Sequence, residues 1–253
     1  MSRPKLSVFI LTFNEKDKIT DCLESVKWAD EIVVMDSFST DGTVEICKKY
    51  TDRIVQSKFE GFGKLRNDAL AACANDWILS IDADERCTEE LKNEVLALLE
   101  KGPDADAYHV PRKSHFMGKW IKHCGWYPDY RQPQFFNKKK MKYTMQLVHE
   151  TFELDGRLSY LKGHALQFPF LNLEAYLRKM ERYSSLRAEE MLKAGKKFRL
   201  HNVIINPLAM FFRMYIAKLG FLDGVTGLIL SLLYANYTLI KYVKLWELKK
   251  ISS

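Results

Sequence analysis

The sequence predicts an α/β fold built from βαβ units, followed by an amphipathic helical extension, and three observations predict it. Short apolar runs at 6–12, 32–35 and 77–81 each end in a polar loop carrying an acid, as buried strands of an α/β sheet do. Between the first two runs, Ile19, Cys22, Leu23 and Val26 recur at i, i+3, i+4 and i+7, the spacing that turns one helical face toward a sheet. Beyond Leu173 the pattern changes to long helical periods with an excess of Lys and Arg.

Taken in order, 6–12 (LSVFILT) and 32–35 (IVVM) are expected as parallel strands with a helix over 18–26 between them. A helix over 43–50, a strand over 53–56, a helix over 64–74, the strand 77–81 and a charged helix over 89–100 continue the alternation. In open α/β sheets ligands bind beyond the carboxyl ends of the strands. The loops Phe13-Asn14-Glu15, Asp36-Ser37-Phe38-Ser39 and Asp82-Ala83-Asp84 therefore point at one site. Residues 107–142 are rich in aromatics, Gly and Pro without a clear period, which predicts irregular loops beside the sheet.

A long helix is expected over 173–192, with Leu173, Leu177, Met180, Ser184 and Arg187 in one row, Tyr176, Tyr183 and Leu186 beside it, and Gly195 as its stop. Two apolar helical stretches follow in 206–248, separated near Gly220 and Gly224. The uncharged run 224–240 has 17 residues and includes Thr226, Ser231, Tyr234, Asn236, Tyr237 and Thr238. A span normally needs about 20 predominantly apolar residues, so the reading is of helices lying in the membrane interface.

With 47% hydrophobic and 28% charged residues in 253, the chain is neither disordered nor collagen-like. Its five cysteines are scattered without a C-x-x-C pair, which argues against a disulfide framework or zinc site. Residues 1–5 lead straight into the first strand with no signal core, so the working site is expected to face the cytoplasm. The formal charge of +7 is uneven: 1–173 hold 25 basic and 26 acidic residues, 174–253 hold 14 and 6. A basic, apolar tail fits an anionic membrane surface and not nucleic acid.

Asp82-Ala83-Asp84 places two carboxylates at i and i+2 after a buried strand, the donor set that holds Mg²⁺ or Mn²⁺ against a diphosphate. The same triplet is common in solvated loops, and its position after the strand is what makes it informative. Asp36 ends another strand ahead of Ser37, Ser39, Thr40 and Asp41, short oxygen donors and acceptors suited to a nucleoside. Thr40 or Asp41 also suits a cap for the helix from Thr43, contributing about 1 kcal/mol, but Asp36 stands outside that explanation. Lys64, Arg66 and Asn67 lie in GFGKLRN, a glycine-containing turn opening a helix, where cations and free N–H groups favour phosphate; a solvated helix start accounts for them equally well.

The segments SVFILTFNE (7–15), VVMDSFSTDGT (33–43), GFGKLRNDAL (61–70) and WILSIDADE (77–85), in this order and spacing, resemble glycosyltransferase family 2. HCGWYPDYR (123–131), VHE (148–150) and GFLDGVTG (220–227) look like its branch of lipopolysaccharide inner-core glucosyltransferases. The resemblance implies a GT-A fold, a mixed Rossmann-like sheet with flanking helices. It implies that Thr12, Asn14 and Glu15 line the nucleotide site with Ser39, that Asp36 reads the base of a UDP-sugar, that Asp84 holds the metal and that Asp82 lies beside ribose and metal. Family 2 enzymes invert the anomeric centre and need a general base. Glu150 is the first candidate, His149 assisting it or binding metal, and Asp129 is the competing base; a surface ion pair at a strand end is the plain alternative for His149 and Glu150.

Trp126, Tyr127, Asp129 and Arg131 combine aromatic faces, a carboxylate and a guanidinium suited to an acceptor, although core packing also explains the aromatics. Gln132-Pro133-Gln134-Phe135-Phe136 departs from the Leu-Arg-Leu-Phe-Arg type strand of the branch, and the Gln-x-x-Arg-Trp motif of processive members is not found. The expected organisation is a GT-A domain over 1–172 (1–105 for the nucleotide-sugar, 106–172 for acceptor and catalysis) and a basic, membrane-associating helical region over 173–253. The expected activity is hexose transfer, of glucose first, from a UDP-sugar to a membrane glycolipid or lipopolysaccharide inner core, by a protein peripheral to the cytoplasmic face of the inner membrane. The C-terminal helices can instead serve an interface between copies. A silent carbohydrate- or partner-binding module and a nucleotidyltransferase are the competing functions, the latter disfavoured because Thr12-Phe13-Asn14-Glu15 is no phosphate loop.

Overall fold

Seven consecutive buried residues, Leu6–Thr12, form strand β1. Side chains alternate across a strand, and here both faces are apolar. Val8 and Ile10 join one core with Val34, Leu79 and Ile81, while Phe9 and Leu11 join the other with Val33, Met35 and Ile78. The structure is a computed structural model describing residues 3–130, 132–145, 151–170 and 172–251. It divides into two units, Met1–Arg112 with Asp129–Gln167, and Lys113–Pro128 with Phe168–Ser253.

In the first unit the elements after β1 are α1 (Lys16–Val26), β2 (Glu31–Asp36), α2 (Thr43–Cys47), β3 (Ile54–Gln56), α3 (Phe62–Ala72), β4 (Trp77–Asp82), β5 (Glu85–Cys87), α4 (Glu89–Lys101) and β6 (Ala107–His109). β7 (Arg112–Phe116) leaves it, β8 (Lys119–Trp120) follows in the second unit, and β9 (Phe135–Asn137), β10 (Met141–Tyr143), β11 (Phe152–Leu154), β12 (Leu158–Tyr160) and β13 (Ala165–Gln167) return to the first. The main sheet runs β12-β6-β9-β4-β1-β2-β3. β4, β1, β2 and β3 are parallel, and β9 is antiparallel to both β4 and β6. β13 pairs antiparallel with β5, and β10 with β11.

The face that α1 presents is the one its spacing predicts: Ile19, Cys22, Leu23 and Val26 are buried in the core that α4 completes with Leu91, Val95 and Leu99. On the other face α3 contributes Leu65, Ala69 and Leu70. Burying each such side chain contributes about 1.5–3 kcal/mol, so this double-sided packing fixes the strand register. All five cysteines are buried and free.

Two expectations need correction here. Residues 107–142 are not loops beside the sheet: β6 and β9 are strands within it, with β9 between β4 and β6. Strands of three residues are too short to show a period, and Phe135 and Phe136 fill opposite cores, so alternation is invisible. The helix expected over 43–50 ends at Cys47, where Lys49 and Tyr50 hydrogen-bond back only three residues.

The second unit holds the β7–β8 hairpin and α5 (Leu173–Lys193), α6 (His201–Phe212), a π-turn (Arg213–Ala217), a 3₁₀ turn (Gly220–Asp223) and α7 (Gly224–Ile251). Segment 113–128, assigned from sequence to the acceptor part of the first domain, belongs to this unit. The buried row of α5 is Tyr176, Ser184, Ala188 and Met191, whereas Leu173, Leu177, Tyr183 and Leu186 are exposed. Apolarity alone misplaced the row, because small Ser184 and Ala188 let a neighbouring helix approach closely, and Ala188 and Met191 pack on Tyr242 and Leu245 of α7. Gly195, at φ +67°, follows the end of α5 as expected. Buried Asp223 ties the unit together. Its carboxylate accepts the N–H groups of Lys122 (3.2 Å) and His123 (2.9 Å) and contacts His123 Nδ1 at 3.2 Å, while Lys119 Nζ donates to its carbonyl at 2.7 Å.

Candidate active site

Strand register brings the first predicted residues together. Thr12 lies opposite Asp36, Asp36 opposite Gln56, and Leu11 opposite Asp82. Asp36 and Asp82 thus flank β1 at its carboxyl end, two strand spacings or about 10 Å apart.

Asp36 is fully buried, and its carboxylate accepts the Ser39 N–H (2.9 Å), the Ser39 hydroxyl (2.5 Å) and the Gln56 amide (3.2 Å). Asn14, at φ +54°, accepts the Thr40 N–H through Oδ1 (2.9 Å) and donates its own N–H to Ser39 Oγ (2.8 Å). The Glu15 N–H reaches Thr43 Oγ1 (3.0 Å), the Lys16 N–H reaches Asp41 Oδ2 (3.1 Å), and Asp41 Oδ1 accepts the Thr43 N–H (3.0 Å). Glu15 itself is ion-paired with Lys18 at 2.6 Å. Asp36, Asn14, Ser39 and Asp41 therefore join the 13–16 and 36–43 loops into one preorganised rim.

What the rim leaves unused is informative. Among the described residues, Thr12 Oγ1 and Ser37 Oγ are buried without a hydrogen-bond partner, and buried hydroxyls in folded proteins nearly always have one. Beside them Phe13 and Phe38 expose about half of their surface, 46% and 53%, with Phe38 at φ +60°, a left-handed conformation that a bulky residue rarely adopts outside functional sites. Neither ring was singled out from sequence; a Phe inside a run of short polar residues was the available signal.

The GFGKLRN residues are engaged with the protein's own groups. Lys64 pairs with Asp68 (2.7 Å) and Glu60 (3.7 Å). Asn67 clamps β10, donating to Tyr143 O (2.8 Å) and accepting the Tyr143 N–H (3.0 Å). Arg66 is buried, donating to Ser80 Oγ (3.0 Å) and to both oxygens of Asp82 (3.0 and 3.2 Å), with Tyr143 beneath its guanidinium at 5.5 Å. Gly63 is a packing glycine: a Cβ there would stand 1.8 Å from Thr144 O. Gly63→Ala is expected to destabilise the fold by about 1–3 kcal/mol through overpacking, measured by urea unfolding; an unchanged midpoint would show that the α3–β10 contact is loose.

The acidic turn splits into three roles. Asp82 is the partner of Arg66. Glu85, which the sequence reading passed over, is wholly buried. Its Oε2 accepts the Asp82 N–H (3.0 Å) and the Gln134 amide (2.8 Å), and its Oε1 accepts Arg112 Nε at 2.5 Å. Burial pushes the Glu85 carboxyl up to about 7 against the downward pull of Arg112. Asp84 differs from both. Its side chain is 8% exposed, and among the described residues nothing hydrogen-bonds or ion-pairs with it. With no counter-charge from the fold, this carboxylate is open to a cation.

Arg112 also donates to Asp129 O (2.9 Å) and lies 4.0 Å from Asp129 Oδ2, which attaches the competing base to the buried end of the acidic turn. Arg112 was missed because an Arg after a Pro carries no sequence signal of burial. Trp126 and Tyr127 belong to the second unit. There Trp126, partly buried, packs edge-on against Phe116 and Tyr234, and Tyr127 against Trp120. Arg131, His149 and Glu150 lie outside the described residues. A hollow of about 310 Å³ between Lys27, Glu31, Tyr50 and Arg53 lies at the opposite, amino end of β2 and carries none of these groups.

The chain is 28% identical to the lipopolysaccharide core biosynthesis glycosyltransferase LpsC of Rhizobium meliloti (strain 1021), with 96% of this chain and 92% of that protein covered. It is also 28% identical to an uncharacterized glycosyltransferase of Rickettsia typhi, with 96% and 87% covered. Among solved structures, S. aureus TarS 1–349 in complex with UDP-GlcNAc shares 18% identity at a TM-score of 0.48, with 95% of this chain and 89% of that chain covered, a likeness too distant to carry more. The family model for glycosyl transferase family 2 matches residues 7–154, the segment that holds the main sheet apart from β12, the rim and the acidic turn. With its mixed, helix-flanked GT-A sheet, the chain belongs to glycosyl transferase family 2 and is a glycosyltransferase.

Proposed function

We propose that the protein transfers a hexose, glucose in the first instance, from a UDP-sugar to a membrane glycolipid with inversion, the lipopolysaccharide inner core being the acceptor. The observation that carries this reading is that, among the described residues, the Asp84 carboxylate has no partner and the buried Thr12 and Ser37 hydroxyls of the rim have none either. A nucleoside diphosphate supplies what those groups lack: polar atoms for the hydroxyls, and a diphosphate whose accompanying cation offsets Asp84. The exposed Phe13 and Phe38 rings offer flat apolar faces to a base.

Mg²⁺ or Mn²⁺ fits this donor set. Among the described residues no three acidic, His or Cys groups gather at one point, and such ions are commonly held by one or two carboxylates together with substrate phosphates. Asp84 would hold the ion, with Asp82 adjacent and His149 a further candidate. When bound, the ion supplies a Lewis acid that stabilises the departing diphosphate. The chain's own residues orient the rest: Arg66 fixes Asp82, Glu85 fixes the backbone of the turn, and a carboxylate receives the acceptor's proton. Glu150 is assigned that role first, and Asp129, held beside Arg112, second. A lipopolysaccharide acceptor is supported by the relative named for core biosynthesis.

The test is transfer of glucose from UDP-glucose to truncated lipopolysaccharide with Mn²⁺, run beside UDP-GlcNAc and UDP-galactose. Chelation is expected to remove at least about 100-fold of the activity and Mn²⁺ to restore it, equivalent to about 2.7 kcal/mol of transition-state stabilisation. Full activity in chelator would end the metal assignment, and preference for another donor would replace glucose.

A further inference from the structure

In the second unit, α6 and the π-turn that prolongs it carry Ile204, Ile205, Leu208, Phe212 and Ile216, and the 3₁₀ turn adds Leu222, each between 51% and 58% exposed. Steps of four from Ile204 through Leu208 and Phe212 to Ile216 set four of them in one stripe. Isolated exposed apolar residues are ordinary, but a continuous stripe marks an interaction surface.

The charges around the stripe say what covers it. Residues 196–250 hold nine basic residues, among them Lys196, Lys197, Arg199, Arg213, Lys218 and Lys250, and two acids, the exposed Glu247 and Asp223, the latter 3% exposed and already engaged with His123 and Lys119. Glu247 is the one carboxylate this stretch presents among the described residues, against nine cations. A second copy of the chain would bring the same cations against these, and a nucleic acid would leave the apolar stripe unused. The headgroups and acyl chains of an anionic leaflet match both.

Geometry limits how such a surface meets a bilayer. Among the described residues no single helix is long and apolar enough to cross; His201–Ala217 and Gly220–Ile251 meet the composition test only as a pair, bent by 71°. The 201–217 stretch is about 25 Å long at about 1.5 Å per residue, shorter than the roughly 30 Å hydrocarbon core. Its amino end opens beside a hollow of about 410 Å³ lined by Lys197, Phe198, Trp246, Lys249 and Lys250, where Lys250 Nζ stands 4.1 Å above the Trp246 ring. Its far end carries Arg213 and Lys218.

We infer that the α6 stripe and the elbow following it lie flat in one leaflet of an anionic membrane, apolar side chains inserted and the basic clusters at both ends set among phosphate headgroups, without crossing. The inference gains a purpose from the proposed glycolipid acceptor, but vesicle binding is independent of it.

The test is flotation of the full chain with vesicles of 70:30 phosphatidylcholine and phosphatidylglycerol and with phosphatidylcholine alone. The native protein is expected to float with the anionic vesicles and at least tenfold less with the neutral ones. Ile205→Glu/Phe212→Glu is expected to lose at least tenfold in binding, and Lys197→Glu/Lys250→Glu to lose selectivity for the anionic vesicles, both keeping native circular dichroism and acceptor-independent UDP-glucose hydrolysis. Native protein left at the bottom of the gradient, equal flotation of the Glu variants, or a native dimer that these substitutions dissociate without vesicle binding would overturn it. A chain that floats but turns over no UDP-sugar defeats the proposed reaction and leaves the docking intact.

Discussion

Asp84→Ala is expected to lower sugar transfer by about 10²–10⁴-fold, several kcal/mol of lost transition-state stabilisation, while leaving the melting temperature unchanged or raised. The two halves of this result come from one observation. Asp84 is 8% exposed, and among the described residues it has no hydrogen-bond or ion-pair partner, so its removal breaks no polar contact in the free protein. A carboxylate that no group of the fold engages serves the ligand and not the fold. Asp82→Ala should behave differently, because it strands buried Arg66, whose guanidinium holds both Asp82 oxygens; that variant loses stability as well as activity. Kinetics with UDP-glucose and Mn²⁺ beside thermal unfolding separate the two. Loss of stability at Asp84 equal to that at Asp82 would make the acidic turn a structural ion-pair site.

Arg112→Ala is expected to cost about 3–5 kcal/mol, as removal of one partner from a buried pair does. That is a large share of the roughly 5–15 kcal/mol that holds a typical domain together, and it lowers the melting temperature by about 6–20 °C at 2–4 °C per kcal/mol. Glu85 is left wholly buried without the 2.5 Å contact from Arg112 Nε, and Asp129 loses its tether. The dependence on pH identifies the cause. Burial already raises Glu85 to about 7 in the intact pair, above an unfolded value near 4.3, and removing Arg112 takes away the opposing pull. A carboxyl whose folded pKa is raised stabilises the fold fully below its unfolded pKa, and that contribution is lost as pH rises through the folded pKa. The variant's deficit should therefore be small at pH 5, where Glu85 is protonated, and large at pH 8. Equal deficits at both would mean that lost packing, not the stranded carboxylate, sets the cost.

The parallel half of the sheet was legible in the sequence because its strands are long and apolar on both faces: Leu6–Thr12 has the bounds predicted for it, and α1 buries the four residues its period named. The short strands were not. β6 and β9 have three residues each, and their place in the sheet is dictated by distant pairing, of β9 with β4 and of β6 with β9 and β12, information no local window holds. At the site, register places Thr12, Asp36 and Asp82 together as the strand-end argument requires. What the sequence did not disclose was the division of labour. Asp36, Asn14 and Ser39 satisfy one another, Arg66 and Asn67 hold Asp82 and β10, and Asp84 alone of the acidic turn stays uncommitted. Identical residue types at similar spacing fill these roles, and only geometry separates them. Glu85 and Arg112 escaped notice for a related reason: charged residues are rarely buried, so a charge in a polar run reads as solvated.

Binding of Mn²⁺ and UDP tests the central claim most directly, because it needs neither the sugar nor the acceptor to be known. Titrated by electron paramagnetic resonance in the presence of UDP, the native protein should take up one Mn²⁺ per chain, and Asp84→Ala, folded as the native chain, should weaken that uptake at least about tenfold, or 1.4 kcal/mol. Equal uptake by the two proteins would contradict the assignment of Asp84 and, with it, the donor site built around it.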